Sequence, residues 1–229
     1  MKIHGLQKLT LLDYPKKTAC TVFLGGCNFR CPFCHNRELV LGDFPPELSE
    51  EEIIAFLKKR IGILDGVCIT GGEPLLNEDI AEFIKKIRDI GYLVKLDTNG
   101  SKPELLKKLV NSGLINYVAM DIKNSKKMYP ETVGINNFDL SGVEESVEFL
   151  KSSGIEYEFR TTIVSEYHSK QSITELAEWI SGAKKYFLQN FIDSGNLIKP
   201  GLSPVSEDEL KGFLNICKKY VEHADIRGI

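Results

Sequence analysis

The sequence predicts an α/β fold in which parallel strands alternate with helices. Short apolar stretches rich in β-branched and aromatic residues recur along the 229 residues, and each is bounded by turn residues. Segments with helical periodicity and helix start signals separate these stretches. Strand alternating with helix, repeated six times, is typical of parallel strands joined by crossover helices. Either a partial (β/α) barrel or an open doubly wound sheet fits this pattern.

Six segments carry the strand pattern. The first ends at Gly25-Gly26 and the third at Asn99-Gly100, so turn residues close the apolar runs. The predicted strands are residues 18–24, 66–70, 92–98, 115–123, 155–164 and 184–191.

The intervening helices are predicted from their N-terminal signals. Ser49 followed by Glu52 has the spacing of a capping box, and Asn77 and Ser101 are predicted N-caps of two further helices. Residues 125–140 lack periodicity and are predicted to form a long loop. The capping-box spacing recurs at Ser141 with Glu144, Ser172 with Glu175, and Ser206 with Glu209.

Composition and charge narrow the classes of protein. The chain is 42% hydrophobic and 27% charged, which argues against a disordered protein. Its net charge of −3 lacks the basic excess of a nucleic-acid-binding protein, so no nucleic-acid partner is expected. No apolar stretch is long enough to span a bilayer and no signal peptide is evident, so we expect a cytoplasmic protein without a membrane partner. Since no linker composition divides the chain, we expect a single domain over residues 1–229.

Three cysteines, Cys27, Cys31 and Cys34, follow the first predicted strand directly. Soft thiolates at this close spacing favour zinc, copper(I) or an iron–sulfur cluster. A [4Fe–4S] cluster held by three cysteines leaves its fourth iron open to a substrate or cofactor. The other three cysteines are scattered: Cys20 and Cys68 are predicted core thiols, and Cys217 is predicted to lie on a helix in or near the core.

The cysteine loop also permits other interpretations. Cys31 to His35 matches a haem-attachment pattern, and Cys31 with Cys34 matches a thioredoxin-like redox pair, but both leave Cys27 without a role. Zinc held by the three cysteines and His35 requires two adjacent residues to bind one ion. Purely structural cysteines are a further possibility, and the pattern favours the iron–sulfur cluster over all of these.

Polar clusters mark the ends of the later predicted strands. Residues 71–74, Gly-Gly-Glu-Pro, let the backbone approach a ligand closely and add a carboxylate. Taken singly, Asp97 could cap a helix, Asp121 could pair with Lys123, and Arg160 could face solvent on an edge strand. However, all of them fall at or near the carboxyl ends of successive strands, which is where parallel α/β folds bind ligands. The sequence therefore predicts a site at those ends.

These residues together resemble a known family. The three-cysteine loop, residues 26–36, followed by Gly-Gly-Glu-Pro at 71–74, resembles the radical S-adenosylmethionine (radical SAM) superfamily. With Asp-Thr-Asn-Gly at 97–100, Asp121 and Lys123, the chain is similar to the activases of glycyl radical enzymes. Within these it is most similar to the activating proteins of anaerobic ribonucleoside-triphosphate reductase, and next to pyruvate formate-lyase activating enzyme. The similarity covers roughly residues 9–200.

The resemblance implies a partial (β/α)6 barrel as a single radical SAM domain, with the site at the C-terminal ends of the strands. It implies that Cys27, Cys31 and Cys34 hold a [4Fe–4S] cluster whose open iron binds S-adenosylmethionine (SAM). Asp121 and Lys123 are the implied catalytic residues. The implied cofactor-binding residues are Phe33, His35, Gly71, Gly72, Glu73, Pro74, Asp97, Asn99, Asp121, Lys123, Arg160 and Gln189.

The resemblance also implies a reaction and its partners. One electron cleaves SAM, and the resulting 5′-deoxyadenosyl radical removes a hydrogen atom from a glycine of a glycyl radical enzyme, the protein substrate. An external donor such as flavodoxin or ferredoxin supplies the electron. Two alternatives stay open: a radical SAM enzyme acting on a small molecule or peptide, and a non-catalytic cluster- or zinc-binding redox module.

Two departures from the activases bear on the partner. Residues 12–17 lack the glycines of a Gly-Pro-Gly-like turn found near the N-terminus of those proteins. At the end of the sixth predicted strand, where some relatives have a histidine, this chain has Gln189, and His168 lies too early to replace it.

Overall fold

The structure is a computed structural model that describes residues 1, 3–42 and 45–227. Within them the strands are β1 (Ile3–Thr10), β2 (Ala19–Leu24), β3 (Gly66–Gly71), β4 (Leu93–Thr98), β5 (Tyr117–Asp121), β6 (Glu156–Ile163), β7 (Lys185–Asn190) and β8 (His223–Arg227). The helices are α1 (Arg37–Leu41), α2 (Glu50–Lys58), α3 (Ile80–Ile90), α4 (Pro103–Asn111), α5 (Tyr129–Val133), α6 (Ser141–Ser152), α7 (Lys170–Trp179) and α8 (Glu207–Cys217), with a 3₁₀ turn at Pro74–Leu76.

The strands follow one another in a sheet in the order in which they occur in the chain. This confirms the predicted α/β fold of parallel strands and crossover helices, with an open sheet as in a partial (β/α) barrel. The chain divides into two compact units, and the single domain predicted over residues 1–229 stays a prediction. No helix of the described residues is long and apolar enough to cross a membrane.

The first unit comprises residues 1–28, 38–98 and 102–119. In it β2, β3 and β4 are parallel, and Leu24 pairs with Gly71, so these two strands end at the same level. Strand β1, which lies antiparallel to β2, was not predicted. This strand is buried only at its ends, Ile3 and Thr10, and therefore has no continuous apolar run.

The helices of this unit test the predicted caps. The capping box of Ser49 and Glu52 is confirmed, with both of its hydrogen bonds formed at the start of α2. The prediction of Asn77 as an N-cap is wrong, because its side chain donates to the Pro74 carbonyl and it closes the 3₁₀ turn instead. Ser101 is also not the cap, since α4 begins after Lys102 with a proline in its first turn.

The second unit comprises residues 29–37, 99–101 and 120–229, as far as they are described. In it β6, β7 and β8 are parallel. Strand β8 was missed, since the sequence prediction ended at the sixth strand.

The region predicted as a loop, residues 125–140, contains the short helix α5. Tyr129, Thr132 and Val133 are buried there, and Gly134 closes the helix in a left-handed conformation. Five residues are too few for a helical period to show in the sequence.

Two of the three other predicted capping boxes differ from the structure. Ser206 accepts a hydrogen bond from the Glu209 N–H, which confirms it as the N-cap and is one of the two bonds of a capping box. By contrast, α7 is capped one turn earlier, by Ser169 with Ser172, because each serine accepts from the other's N–H. At α6 the side chain of Ser141 does not cap, since Leu140 occupies the N-cap position.

Candidate functional site

In the first unit, the loop that carries Cys27 is fixed to the loop that follows β3. The Gly72 N–H donates to the Leu24 carbonyl, and the Glu73 N–H donates to the Gly26 carbonyl, both at 2.8 Å. On the other side, the Gly26 N–H donates to the Leu39 carbonyl at 2.8 Å. The backbone before Cys27 is therefore held by three hydrogen bonds.

The glycines of the Gly-Gly-Glu-Pro turn are required by this contact. Gly71 has a φ of +122°, which side chains other than glycine rarely adopt. A Cβ atom on Gly72 would collide with the Gly26 carbonyl oxygen and lie 3.3 Å from the Cys27 Cβ. The sequence predicted a close backbone approach here, and the structure shows that the approaching group is the backbone of the cysteine loop.

Glu73 uses its carboxylate inside the protein. The side chain is fully buried, and its Oε1 accepts hydrogen bonds from the Leu75 N–H at 3.1 Å and from the Thr98 hydroxyl at 2.7 Å. Pro74 is buried beside it and begins the 3₁₀ turn. The Glu73 carboxylate therefore stabilises the turn from inside the protein.

Asp97, near the end of β4, belongs to a small polar cluster. Its Oδ1 pairs with the Lys95 ammonium, whose side chain is 1% exposed, and accepts from the Cys68 thiol at 3.6 Å. The Lys95 Nζ is also 3.7 Å from the Cys68 Sγ. Asp97 therefore does not cap a helix, and Cys68 is a buried thiol with polar neighbours rather than a purely apolar one.

Cys20 and Cys217 are core thiols, as predicted. Both are fully buried, and burial raises the pKa of each to about 12. They remain protonated at neutral pH and are poor metal ligands.

In the second unit, backbone hydrogen bonds hold the segment that carries Cys31 and Cys34. The Cys34 N–H donates to the Cys31 carbonyl at 3.0 Å, which makes a turn between the two cysteines. The Arg30 N–H donates to the Val133 carbonyl at 2.8 Å, and the Lys199 N–H donates to the Pro32 carbonyl at 2.9 Å.

Residues around Cys34 make its surroundings partly apolar. Burial raises the pKa of Cys34, and the Lys123 ammonium is among the groups that oppose this rise. The Phe33 ring is buried 6.0 Å from the Tyr167 ring, measured between centroids. His35 lies 5.6 Å from the Phe191 ring, and burial lowers the pKa of its imidazole.

Three charged side chains meet at the end of β5. The Lys123 Nζ donates to Asp121 Oδ2, and Arg160 Nε donates to Asp121 Oδ1, both at 3.0 Å. A second nitrogen of Arg160, Nη2, is also 3.0 Å from Oδ1. Asp121 and Lys123 do form the ion pair considered from the sequence, but Arg160 does not face solvent on an edge strand, since this contact holds it.

The two cations fix the charge of the carboxylate. Burial opposes ionisation of Asp121, but Lys123 and Arg160 outweigh it and lower its pKa to about 2. Burial likewise opposes the charged form of Lys123, and the Asp121 carboxylate raises its pKa nevertheless. All three groups are therefore charged at neutral pH.

His168, which the sequence analysis placed outside the site, hydrogen-bonds to the backbone of Lys123. The Val164 N–H donates to its Nδ1 at 3.0 Å, so the proton is on Nε2, which donates to the Lys123 carbonyl at 2.9 Å. Burial lowers the pKa of this imidazole and keeps it neutral. It acts as a buried structural histidine.

The remaining predicted residues, Asn99 and Gln189, are also at strand ends. Asn99 follows β4, is buried, and accepts a hydrogen bond from the Ser101 N–H at 3.0 Å. Gln189 is half-buried near the end of β7, where it pairs with Thr162 of β6.

Lys95, His168 and Tyr129 were not predicted as members of the site. Lys95 could have been found, because a lysine within a buried strand, two residues before Asp97, shares the face of that carboxylate. Tyr129 carried no signal, since it lies in the region interpreted as a loop.

None of the six cysteines forms a disulfide. No three His, Cys, Asp or Glu side chains of the described residues are placed to hold one metal ion. Thiolate ligands of a [4Fe–4S] cluster each bind a different iron, so they do not need that arrangement.

The chain is similar in sequence to known proteins. Residues 21–180 match the family described as the Radical SAM superfamily. A protein of Methanocaldococcus jannaschii named "Putative glycyl-radical enzyme activating enzyme" is 32% identical over 236 aligned residues, which cover 99% of this chain and 96% of that protein. The GTP 3′,8-cyclase of Campylobacter jejuni is 36% identical over 132 residues, but these cover 53% of this chain and 40% of the cyclase.

Solved structures with similar folds have low sequence identity. A domain of pyruvate-formate lyase-activating enzyme from Bacteroides vulgatus has a TM-score of 0.58 at 17% identity, covering 71% of this chain and 99% of that domain. Streptococcus suis SuiB bound to its precursor peptide SuiA has a TM-score of 0.71 at 15% identity, covering 91% of this chain and 48% of SuiB. These likenesses concern the fold.

Proposed function

Because this chain belongs to the radical SAM superfamily, we propose that it is an activase that installs a glycyl radical on a partner enzyme. The chain is an oxidoreductase, and the predicted cofactors, a [4Fe–4S] cluster with cysteine ligands and SAM, are those of its superfamily. What we propose beyond this is the substrate and the residues that perform the reaction.

The activase proposal rests on one observation. The relative named as a glycyl-radical enzyme activating enzyme matches this chain along almost its whole length, and the chain covers 96% of it. The match to the cyclase covers 53% of this chain and 40% of the cyclase, so that likeness is partial.

We propose that Cys27, Cys31 and Cys34 hold the cluster. They form no disulfide and have the family's spacing. Their backbones are held by separate sets of hydrogen bonds. Burial raises the pKa of Cys34, and Lys123 opposes this rise and so favours the thiolate form that iron binding requires.

The charged residues at the strand ends are proposed to position SAM. Asp121 keeps Lys123 charged, and Arg160 uses Nε and Nη2 on Asp121 Oδ1. A guanidinium has five N–H donors, so Arg160 can contact both Asp121 and a carboxylate ligand. The backbone of residues 71–74 and the side chains of Asp97, Asn99 and Gln189 are the further proposed contacts, with Phe33 and His35 beside the cysteines.

When bound, the cluster and SAM supply one-electron chemistry that removes a hydrogen atom from a glycine Cα. The protein positions the reacting groups and excludes water. Burial of Phe33 and Phe191 provides apolar surface next to Cys34 and His35, respectively. We propose anaerobic ribonucleoside-triphosphate reductase as the partner, flavodoxin or ferredoxin as the electron donor, and the cytoplasm as the location.

The test is the appearance of a glycyl radical on the partner. The anaerobically reconstituted chain, SAM and a reductant are mixed with an anaerobic ribonucleotide reductase, and the doublet radical signal is measured by electron paramagnetic resonance. We expect the signal with the parent chain and its loss with Cys31→Ser, which leaves two of the three thiolates. The control is Cys217→Ala, which removes a buried thiol distant in sequence from the motif.

Distinct results would count against each part. Parent-level SAM cleavage by the Cys31→Ser chain would contradict the ligand assignment. SAM cleavage without radical transfer to any glycyl radical enzyme tested would contradict the activase proposal and favour a small-molecule or peptide substrate.

A further inference from the structure

Tyr129, the first residue of α5, has a fully buried hydroxyl that hydrogen-bonds to no described residue. Its ring is held on several sides: it stacks on Phe138 at 5.8 Å and meets Phe29 and Trp179 edge-on at 6.4 and 6.1 Å, all between centroids. The ring therefore has little freedom to move its hydroxyl elsewhere. A buried polar group without a partner destabilises the fold, so its presence needs an explanation.

Helix α5 is attached directly to the cysteine segment. The Arg30 N–H donates to the Val133 carbonyl at the end of the helix. Gly134, in a left-handed conformation, lies so close to the Arg30 carbonyl that a Cβ atom there would collide with it. Phe29 and Arg30, which precede Cys31, are thus both in contact with α5.

Cys31 directly follows the two residues that contact α5, so this helix packs against the backbone that carries the Cys31 thiol. Burial raises the pKa of Tyr129, Lys123 opposes the rise, and Cys31 adds to it. The phenol therefore stays protonated and keeps a hydroxyl hydrogen that it can donate to an acceptor. The nearby Lys123 backbone falls short of hydrogen-bond geometry.

We propose that the Tyr129 hydroxyl donates a hydrogen bond to the Cys31 thiolate when the cluster is bound, and that it thereby raises the reduction potential of the cluster. The inference rests on the proposed cluster ligands. A hydrogen bond to a ligand sulfur stabilises the reduced cluster more than the oxidised one, because reduction adds negative charge. Tyr129 is thus a residue that tunes the metal site through its ligand and touches neither SAM nor the substrate.

The test compares Tyr129→Phe with the parent by spectroelectrochemical titration of the reconstituted cluster. We expect equal iron and sulfide content and a more negative potential. At a fixed applied potential, the ratio of reduced to oxidised cluster should fall about three- to tenfold, as loss of one hydrogen bond predicts.

Tyr186→Phe is the matched control. Tyr186 is also fully buried in this unit, but its hydroxyl already donates to the Thr161 Oγ1 at 2.7 Å. This variant should leave the potential unchanged. In the cluster-free proteins the order reverses: Tyr186→Phe should lower the unfolding temperature, whereas Tyr129→Phe should leave it unchanged or raise it.

Each other outcome overturns a definite statement. An unchanged potential in a fully loaded Tyr129→Phe chain, or a shift equal to that of Tyr186→Phe, overturns the proposed hydrogen bond. So does a loss of stability in the cluster-free Tyr129→Phe chain as large as that of Tyr186→Phe, or a folded variant that takes up no cluster. If the parent itself assembles no cluster, the proposed ligands are wrong instead.

Discussion

The two units each contain an aspartate and a lysine two residues apart in sequence, in opposite order. In the first unit Lys95 precedes Asp97, and in the second Asp121 precedes Lys123. Lys95 and Asp97 share a face of β4, whereas Lys123 follows β5 and contacts the last residue of that strand, Asp121. The later residue is nearer the carboxyl end, which places the carboxylate outermost on β4 and the ammonium outermost after β5.

The surroundings of the two pairs also differ. Lys95 is 1% exposed, and its ammonium pairs with Asp97 inside the protein. Asp121 is 31% exposed and has both Lys123 and Arg160. Removal of Lys123 therefore leaves Asp121 with Arg160, whereas removal of Lys95 takes a fully buried cation away from the Asp97 carboxylate. In the first unit Lys95 thus serves stability and its partner Asp97 is a proposed SAM contact, whereas in the second unit we propose that both members of the pair serve chemistry.

The largest expected effect is that of Lys95→Met. Breaking a buried ion pair by removing one partner costs about 3–5 kcal/mol of unfolding free energy. The matched variant Lys123→Met should cost about 1 kcal/mol, since Arg160 remains and the pair is partly exposed. Urea unfolding of both cluster-free variants measures the difference.

Equal losses of unfolding free energy in Lys95→Met and Lys123→Met would show that the two ion pairs do not differ in their contribution to stability. A double variant, Lys95→Met with Asp97→Leu, sharpens it, because replacing both charges by apolar groups should recover most of the stability lost.

An intermediate effect is expected from pH. The pKa of Asp121 is lowered in the folded chain to about 2, so its ionised form stabilises the fold above pH 3.8, the ordinary value. This contribution disappears as the pH falls through about 2, and it is on the order of 1–2 kcal/mol. The difference in unfolding free energy between the parent and Asp121→Asn should therefore shrink from pH 5 to pH 2. A difference that stays constant over this range would show that the charge of Asp121 does not stabilise the fold.

The smallest effect on stability is that of Arg160→Lys. A lysine retains the positive charge but loses the planar donors that hold Asp121 Oδ1, at a cost below about 1 kcal/mol. SAM affinity, measured by calorimetry on the cluster-loaded chain, should weaken more than stability does. Unchanged SAM binding would exclude Arg160 from the proposed contacts.

The sequence predicted those parts of the fold whose pattern is local. All six predicted strands form, since each is a short apolar run closed by turn residues. The edge strand β1 and helix α5 were not predicted. Their residues are buried by contacts with other parts of the chain, and such contacts leave no periodic pattern in the sequence. At α7 the sequence offers Ser169 and Ser172 as N-cap residues, and the backbone conformation shows that the N-cap is Ser169.

The sequence predicted which residue types form the candidate site, but it did not predict all of the contacts between their side chains. Asp121, Lys123 and Arg160 were singled out one by one, but their meeting depends on the neighbouring strand that brings Arg160 across. Lys95 was passed over because it lies inside an apolar strand, where its partner Asp97 stabilises it.

The full burial of Glu73 has a consequence for how its motif is interpreted. This carboxylate bridges the amide of Leu75 and the hydroxyl of Thr98, and so acts as an internal brace for the turn. A Glu73→Ala chain loses both hydrogen bonds of the turn, so weaker SAM binding by that chain would not by itself identify Glu73 as a ligand contact. A residue of a ligand-binding sequence motif can therefore stabilise the conformation of the binding turn.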